Sequence, residues 1–224
     1  MRHAPHPPDG IPVSLIVFDL DGTLVDSKRD LADSANALIA ELGGALLTEE
    51  QIAGMVGEGA ALLVRRTLAA AGLDPESPRA LERFLEIYDG RLLDHTRLYD
   101  GMADVLVELQ VRAALAVLTN KPSRASERIL DGLGVRARFR AVLGGDTPFG
   151  RKPDPGGLNH LIAAAGATPG TTLLVGDSPI DYDTARRAGT RICLARYGFG
   201  YRFDDAGFRG DEIFIDQPSA LLRV

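Results

Sequence analysis

The chain has 224 residues, of which 45% are hydrophobic and 25% charged, a balance that excludes disordered, collagen-like and membrane-embedded classes. A net charge of −6 offers no basic face for nucleic acid or anionic lipid, so neither is expected as a partner. The single cysteine, Cys193, rules out an internal disulfide and points to a reducing, cytoplasmic setting; the four scattered histidines show no zinc-ligand spacing.

Residues 1–12 are rich in Pro and His, carry no apolar stretch, and read as a loose tail with no signal or anchor. Val13 to Leu20 is a short β-branched apolar run ending in Asp-Gly, the pattern of a buried strand meeting a turn. The next stretch is all helical in pattern. Leu31, Ala35, Leu38, Ile39 and Leu42 recur at helical spacing up to Gly43-Gly44. Thr48-Glu-Glu-Gln51 is a capping box opening a second helix, and Ala60–Ala71 and Pro78–Leu93 predict a third and a fourth. Beyond them helices at Met102–Gln110, Ser123–Leu133, Pro155–Ala165 and Ile180–Ala188 alternate with apolar runs. Those runs are Ala114–Leu118, Ala141–Leu143, Thr172–Val175 and Arg191–Ala195, with Ile213–Ile215 as an edge strand. Alternating strand and helix predict an α/β fold with a doubly wound parallel sheet, which takes ligands at the carboxyl ends of its strands. The expected organisation is an α/β core of residues 13–26 and 98–224 and a helical cap of residues 27–97, inserted after the first strand.

The polar residues that matter fall at the ends of the apolar runs. Asp19 and Asp21, two apart in extended chain, face one pocket. Two such carboxylates repel unless a cation or proton intervenes, and magnesium, with its preference for oxygen ligands, would serve. One carboxylate then suits attack on phosphorus and the other proton transfer at the leaving oxygen. Thr119 and Asn120 end the second run with a hydroxyl and an amide suited to phosphate oxygens. Lys152 supplies a compact positive charge, and Asp177 and Asp181 form another acidic pair after the fourth run. Read singly, each of these is also an ordinary turn, helix cap or surface residue. Two lookalikes fail: residues 145–152 lack the Lys-Ser/Thr ending of a P-loop, and Gly57-Glu58-Gly59 follows a helix and lacks the third glycine of a dinucleotide motif.

Taken together in this order, Phe18-Asp19-Leu20-Asp21-Gly22-Thr23, Leu118-Thr119-Asn120, Lys152-Pro153 and Gly176-Asp177-Ser178-Pro179-Ile180-Asp181 resemble the four motifs of the haloacid-dehalogenase superfamily of phosphohydrolases. Thr119-Asn120-Lys121-Pro122, Gly144-Gly145-Asp146-Thr147, Tyr197-Gly198, Asp30-Leu31-Ala32 and Gly57-Glu58-Gly59-Ala60 further resemble its phosphoglycolate phosphatase group. The resemblance implies Asp19 as nucleophile and metal ligand. It implies Asp21 as general acid and then base, with its backbone carbonyl on magnesium, and Thr119 and Asn120 as holders of the phosphoryl group. Lys152 would neutralise charge, and Asp177 and Asp181 would complete the magnesium site. A helical lid would bring Gly57 and Gly59 amides, and one of Arg65 or Arg66, to the substrate; Arg65 is the expected carboxylate clamp. The implied reaction is hydrolysis of a small phosphorylated metabolite, 2-phosphoglycolate first, by a monomer or homodimer. Alternatives are another sugar phosphate or pyrophosphate as substrate, phosphomutase chemistry, or a catalytically silent binding module. Asp100 stands where the family more often has Pro.

Overall fold

A computed structural model describes residues 13–203 and 207–224, so the expected N-terminal tail lies outside the described residues. Six parallel strands form the central sheet: β1 (Leu15–Phe18), β4 (Ala114–Leu118), β5 (Ala141–Leu143), β6 (Thr172–Gly176), β7 (Arg191–Ala195) and β8 (Ile213–Ile215). Their order is β5-β4-β1-β6-β7-β8. The predicted α/β class and doubly wound sheet are therefore what the chain adopts. β1 is shorter than the apolar run that signals it, although Asp19 N–H still donates across to Val175 O.

The strand order reverses at β1, where β4 lies on one side and β6 on the other. Chains diverge from that crevice, which leaves it open for a ligand. Register makes the crevice functional: Phe18 stands level with Val117 on β4 and Val175 on β6. The residues that follow on all three strands therefore emerge together at one edge. Period-two alternation sends Ile16 and Phe18 into one apolar layer and Leu15 and Val17 into the other, so β1 is buried on both faces.

Helices α5 (Met102–Leu109), α6 (Ser123–Gly132), α7 (Gly156–Ala164) and α8 (Pro179–Ala188) connect these strands. Between β1 and α5 lie α1 (Lys28–Glu41), α2 (Glu49–Ala53), α3 (Ala60–Ala70) and α4 (Ala80–Asp89). The Thr48 capping box forms as expected, Thr48 Oγ1 accepting from Gln51 N at 3.2 Å. A two-stranded ribbon not foreseen from sequence, β2 (Val25–Asp26) with antiparallel β3 (Arg97–Leu98), brackets this helical segment at its exit and return. Each strand has only two residues, too few to show a period.

Asp30 ties the same bracket together. It is buried in the first turn of α1, and its carboxylate accepts from His95 N (2.9 Å), Thr96 N (2.8 Å) and Thr96 Oγ1 (2.7 Å). Removing the carboxylate strands those buried donors. Asp30→Ala is expected to lower unfolding free energy by about 2–4 kcal/mol, read from the denaturant midpoint at unchanged slope. A loss below about 1 kcal/mol would mean water replaces the carboxylate freely.

Candidate active site

Asp19 follows β1 directly, its backbone N–H donating to Val175 O at 2.9 Å. Lys152, from the loop between β5 and α7, is buried against it with Nζ 2.8 Å from Asp19 Oδ1. The ammonium is aimed at Asp181 Oδ1 (2.6 Å), so Asp19 Oδ1 has an ion-pair neighbour but no aligned hydrogen bond. Burial pushes the Asp19 carboxyl up to about 7; Lys152 opposes the rise, and the Asp181 and Asp21 carboxylates add to it. Burial works against the Lys152 charge too, but Asp181 and Asp19 more than offset it and hold the ammonium above its ordinary range.

Asp177 follows β6 and is almost wholly buried. It accepts from Gly200 N at 2.8 Å and Thr23 Oγ1 at 3.3 Å, and no cation within ion-pair distance is found for it among the described residues. Burial raises its carboxyl well above the usual range, with Asp181 and Asp19 adding to the effect. Asp181 sits in the first turn of α8, where Ser178 caps the helix and donates Oγ–H to Asp181 Oδ2 at 2.6 Å. Oxygens of Asp19, Asp177 and Asp181 lie within 4.8 Å of one another. Three buried carboxylates against one lysine, with an orphaned Asp19 oxygen among them, fit a divalent metal ion, and an all-oxygen donor set favours a hard one. Asp19 and Asp181 already share the Lys152 ammonium, whereas Asp177 accepts only from neutral donors, so Asp177 is the member whose charge is left for a metal to balance. The Asp21 carboxylate stands outside the cluster.

Backbone must approach Asp177 closely to build this floor. A Cβ on Gly22 (φ +86°) would fall 2.0 Å from Asp177 Oδ2, and one on Gly198 would fall 2.3 Å from the Asp177 Cβ. Only glycine fits at either place. Gly198→Ala is expected to displace Asp177 and raise the half-saturating metal concentration about 10- to 100-fold. Metal titration of thermal stability checks it; wild-type metal affinity in that variant would deny Asp177 a share in the site.

Asp21 points elsewhere. Its carboxylate accepts from Lys121 Nζ at 2.8 and 3.0 Å and from Ser27 Oγ at 2.5 Å. Lys121 is itself buried, 4.6 Å over the Tyr88 ring of α4. Burial opposes its charge, and Asp21 and Tyr88 more than compensate. Sequence alone assigns Lys121 no role, because its partner Asp21 lies 100 positions away at the end of a neighbouring strand.

Thr119 lines the site after β4; its Oγ1 accepts from Lys121 N at 3.2 Å, which leaves the hydroxyl proton free to donate. Asn120 is buried, and its amide nitrogen donates to Gly57 O and to Lys152 O, both at 2.9 Å. It thus braces the lysine loop and the inserted segment rather than presenting free donors. Above these residues opens a cavity of about 420 Å³, bordered by Asp19, Asp21, Thr119 and Asn120 below and by Gly57, Gly59 and apolar side chains of α3 and α4 above. Arg65 is not brought to it. Its guanidinium is exposed and pairs with Glu76 at 2.6 Å, while Arg66 pairs with Glu58 at 2.5 Å. The reason is angular: Leu63 borders the cavity, and two residues further along a helix is roughly 200° around it.

Known proteins share this layout. The model of the haloacid dehalogenase-like hydrolases matches residues 16–195. A phosphoglycolate phosphatase of Rhodospirillum rubrum is 39% identical over 221 residues, covering 91% of this chain and 92% of the relative. One from Pseudomonas savastanoi pv. phaseolicola is 38% identical over 193 residues, 84% of this chain and 71% of its own. The crystal structure of a predicted phosphoglycolate phosphatase from Haemophilus somnus superposes with a TM-score of 0.86 at 31% identity, covering 94% of this chain and 97% of that one. The matched span runs from the strand that delivers Asp19 to the strand beyond Asp177, and the chain belongs to the haloacid dehalogenase-like hydrolase family.

Proposed function

We propose that this protein hydrolyses a small organic phosphate monoester, 2-phosphoglycolate in preference, through an aspartyl-phosphate on Asp19. The observation that carries the reading is Asp19 at the floor of the cavity, flanked by Lys152 and by the Asp177–Asp181 carboxylates. Relatives named phosphoglycolate phosphatase support the choice of ester.

Asp19 attacks phosphorus in line, and the bond to the ester oxygen breaks. Asp21, two residues on and bordering the same cavity, gives that oxygen its proton. It then takes a proton from the water that attacks phosphorus and releases Asp19. Thr119 donates to a phosphoryl oxygen, and Lys152 holds the nucleophile in place and offsets its charge. Magnesium, held by Asp19, Asp177 and the Asp21 carbonyl with Asp181 beside it, would supply fixed positive charge for the phosphoryl oxygens. Asn120 acts by bracing Lys152 and Gly57. Residues 27–97 serve as a cap over residues 13–26 and 98–224, with the β2–β3 ribbon at the hinge and the Gly57–Gly59 backbone facing the substrate. A monomer or homodimer suffices, since every group named comes from one chain. No helix among the described residues is long and apolar enough to cross a membrane, and buried Cys193 suits a cytoplasmic setting.

The test is phosphate release from 2-phosphoglycolate, several sugar phosphates, pyrophosphate and a nucleotide, with magnesium and with EDTA. Magnesium-dependent release, with kcat/KM for 2-phosphoglycolate at least about 10-fold above the rest, is expected. Preference for another ester would discard the substrate and keep the chemistry. No release from a folded sample would overturn the reading in favour of a mutase or a silent module.

A further inference from the structure

The charged groups around the cavity are matched in all places but one. Five of its acidic residues each hold a cation. Asp19 has Lys152 and Asp21 has Lys121. Glu82 has Arg79, Glu86 has Arg83 and Asp89 has Arg128. Arg124 borders the same cavity, is exposed, and has no ion-pair or hydrogen-bond partner among the described residues. It sits in the first turn of α6, a turn with no acidic residue of its own. A cation there opposes the helix dipole, so helix stability does not account for it.

We infer that Arg124 is the residue that selects substrates with a second anionic group, binding the carboxylate of a short phosphorylated acid while the phosphoryl end meets Asp19 and Thr119. This rests on the proposed phosphatase reading and names a residue for its specificity. A guanidinium fork matches a carboxylate edge in a bidentate pair, and the other charged residues around the cavity are already neutralised. Phosphate or pyrophosphate oxygens share enough of that chemistry to be compared directly.

The experiment measures KM and kcat of the full chain, Arg124→Gln and Arg124→Lys on 2-phosphoglycolate, on 2-hydroxyethyl phosphate, which replaces the carboxylate by an alcohol, and on pyrophosphate. Thermal melting checks that each variant is folded. The expected result is a KM for 2-phosphoglycolate raised roughly 10- to 100-fold in Arg124→Gln, with kcat within about 2-fold. The KM for 2-hydroxyethyl phosphate should stay put, and Arg124→Lys should recover part of the loss. An equal effect on both esters, or none on either, makes Arg124 an ordinary solvated arginine and overturns the inference while hydrolysis stands. A loss confined to pyrophosphate overturns it in favour of a phosphate-binding subsite. A loss at Arg65→Ala without one at Arg124→Gln overturns it as well. Wild-type protein inert toward all three would remove the function and the inference together.

Discussion

Asp19→Asn is expected to lower kcat by at least about 10⁴-fold while leaving the fold intact. The amide keeps the shape of the carboxylate and loses the negative oxygen that must attack phosphorus. The same substitution has a second, opposite effect. In the metal-free protein, burial lifts the Asp19 carboxyl from its ordinary 3.8 to about 7. A carboxyl raised on folding binds more protons in the folded state than in the unfolded one across that window. Its charged form therefore destabilises the fold progressively as pH climbs from about 4 to about 7, and the penalty is absent below the lower value. Metal-free wild-type protein should melt at a lower temperature at pH 8 than at pH 5. Part of that slope should vanish in Asp19→Asn, and the variant should melt at or above wild type at pH 8. Near-normal turnover in Asp19→Asn would remove Asp19 from the chemistry, and an unchanged pH slope would mean that Asp177 carries the penalty instead.

Lys152→Met should be costly on both counts. The side chain is only 2% exposed and lies between Asp19 and Asp181. Replacing it with an apolar chain of similar length leaves two buried carboxylates facing each other without compensation. Breaking a buried pair from one side costs about 3–5 kcal/mol, so metal-free Lys152→Met should be destabilised by that order in denaturant melts. Added magnesium should return part of it by occupying the same carboxylates. Turnover should fall by about 10³-fold or more, because fixed positive charge at the transferring group is lost. A variant as stable as wild type in EDTA would show that Lys152 is held by packing rather than by its ion pairs with Asp19 and Asp181.

The core was legible in the sequence because its signals are local. Apolar runs end in Asp19, Thr119 and Asp177, and parallel register along β1 guarantees that such ends meet at one edge. What escaped depends on packing over long separations. Asp30 reaches His95 and Thr96 across 65 and 66 positions, and nothing near it in sequence announces that contact. Lys121 meets Asp21 only because β4 pairs beside β1. Arg124 joins the cavity because α4, tied to α6 through Asp89 and Arg128, borders the same space. Charge and nearness to Gly57 and Gly59 point to Arg65. The helical angle from Leu63 would have placed it on the outer face, where it meets Glu76. The two-residue strands β2 and β3 are too short for any period to register.

Stereochemistry at phosphorus tests the central claim most directly. A phosphorothioate ester made chiral with an oxygen isotope, hydrolysed by the magnesium-loaded protein in water carrying a second isotope, reports how many displacements occur. Attack by Asp19 followed by attack of water gives two inversions, and the account predicts net retention. Net inversion would mean that water attacks the ester directly, and would contradict an aspartyl-phosphate on Asp19.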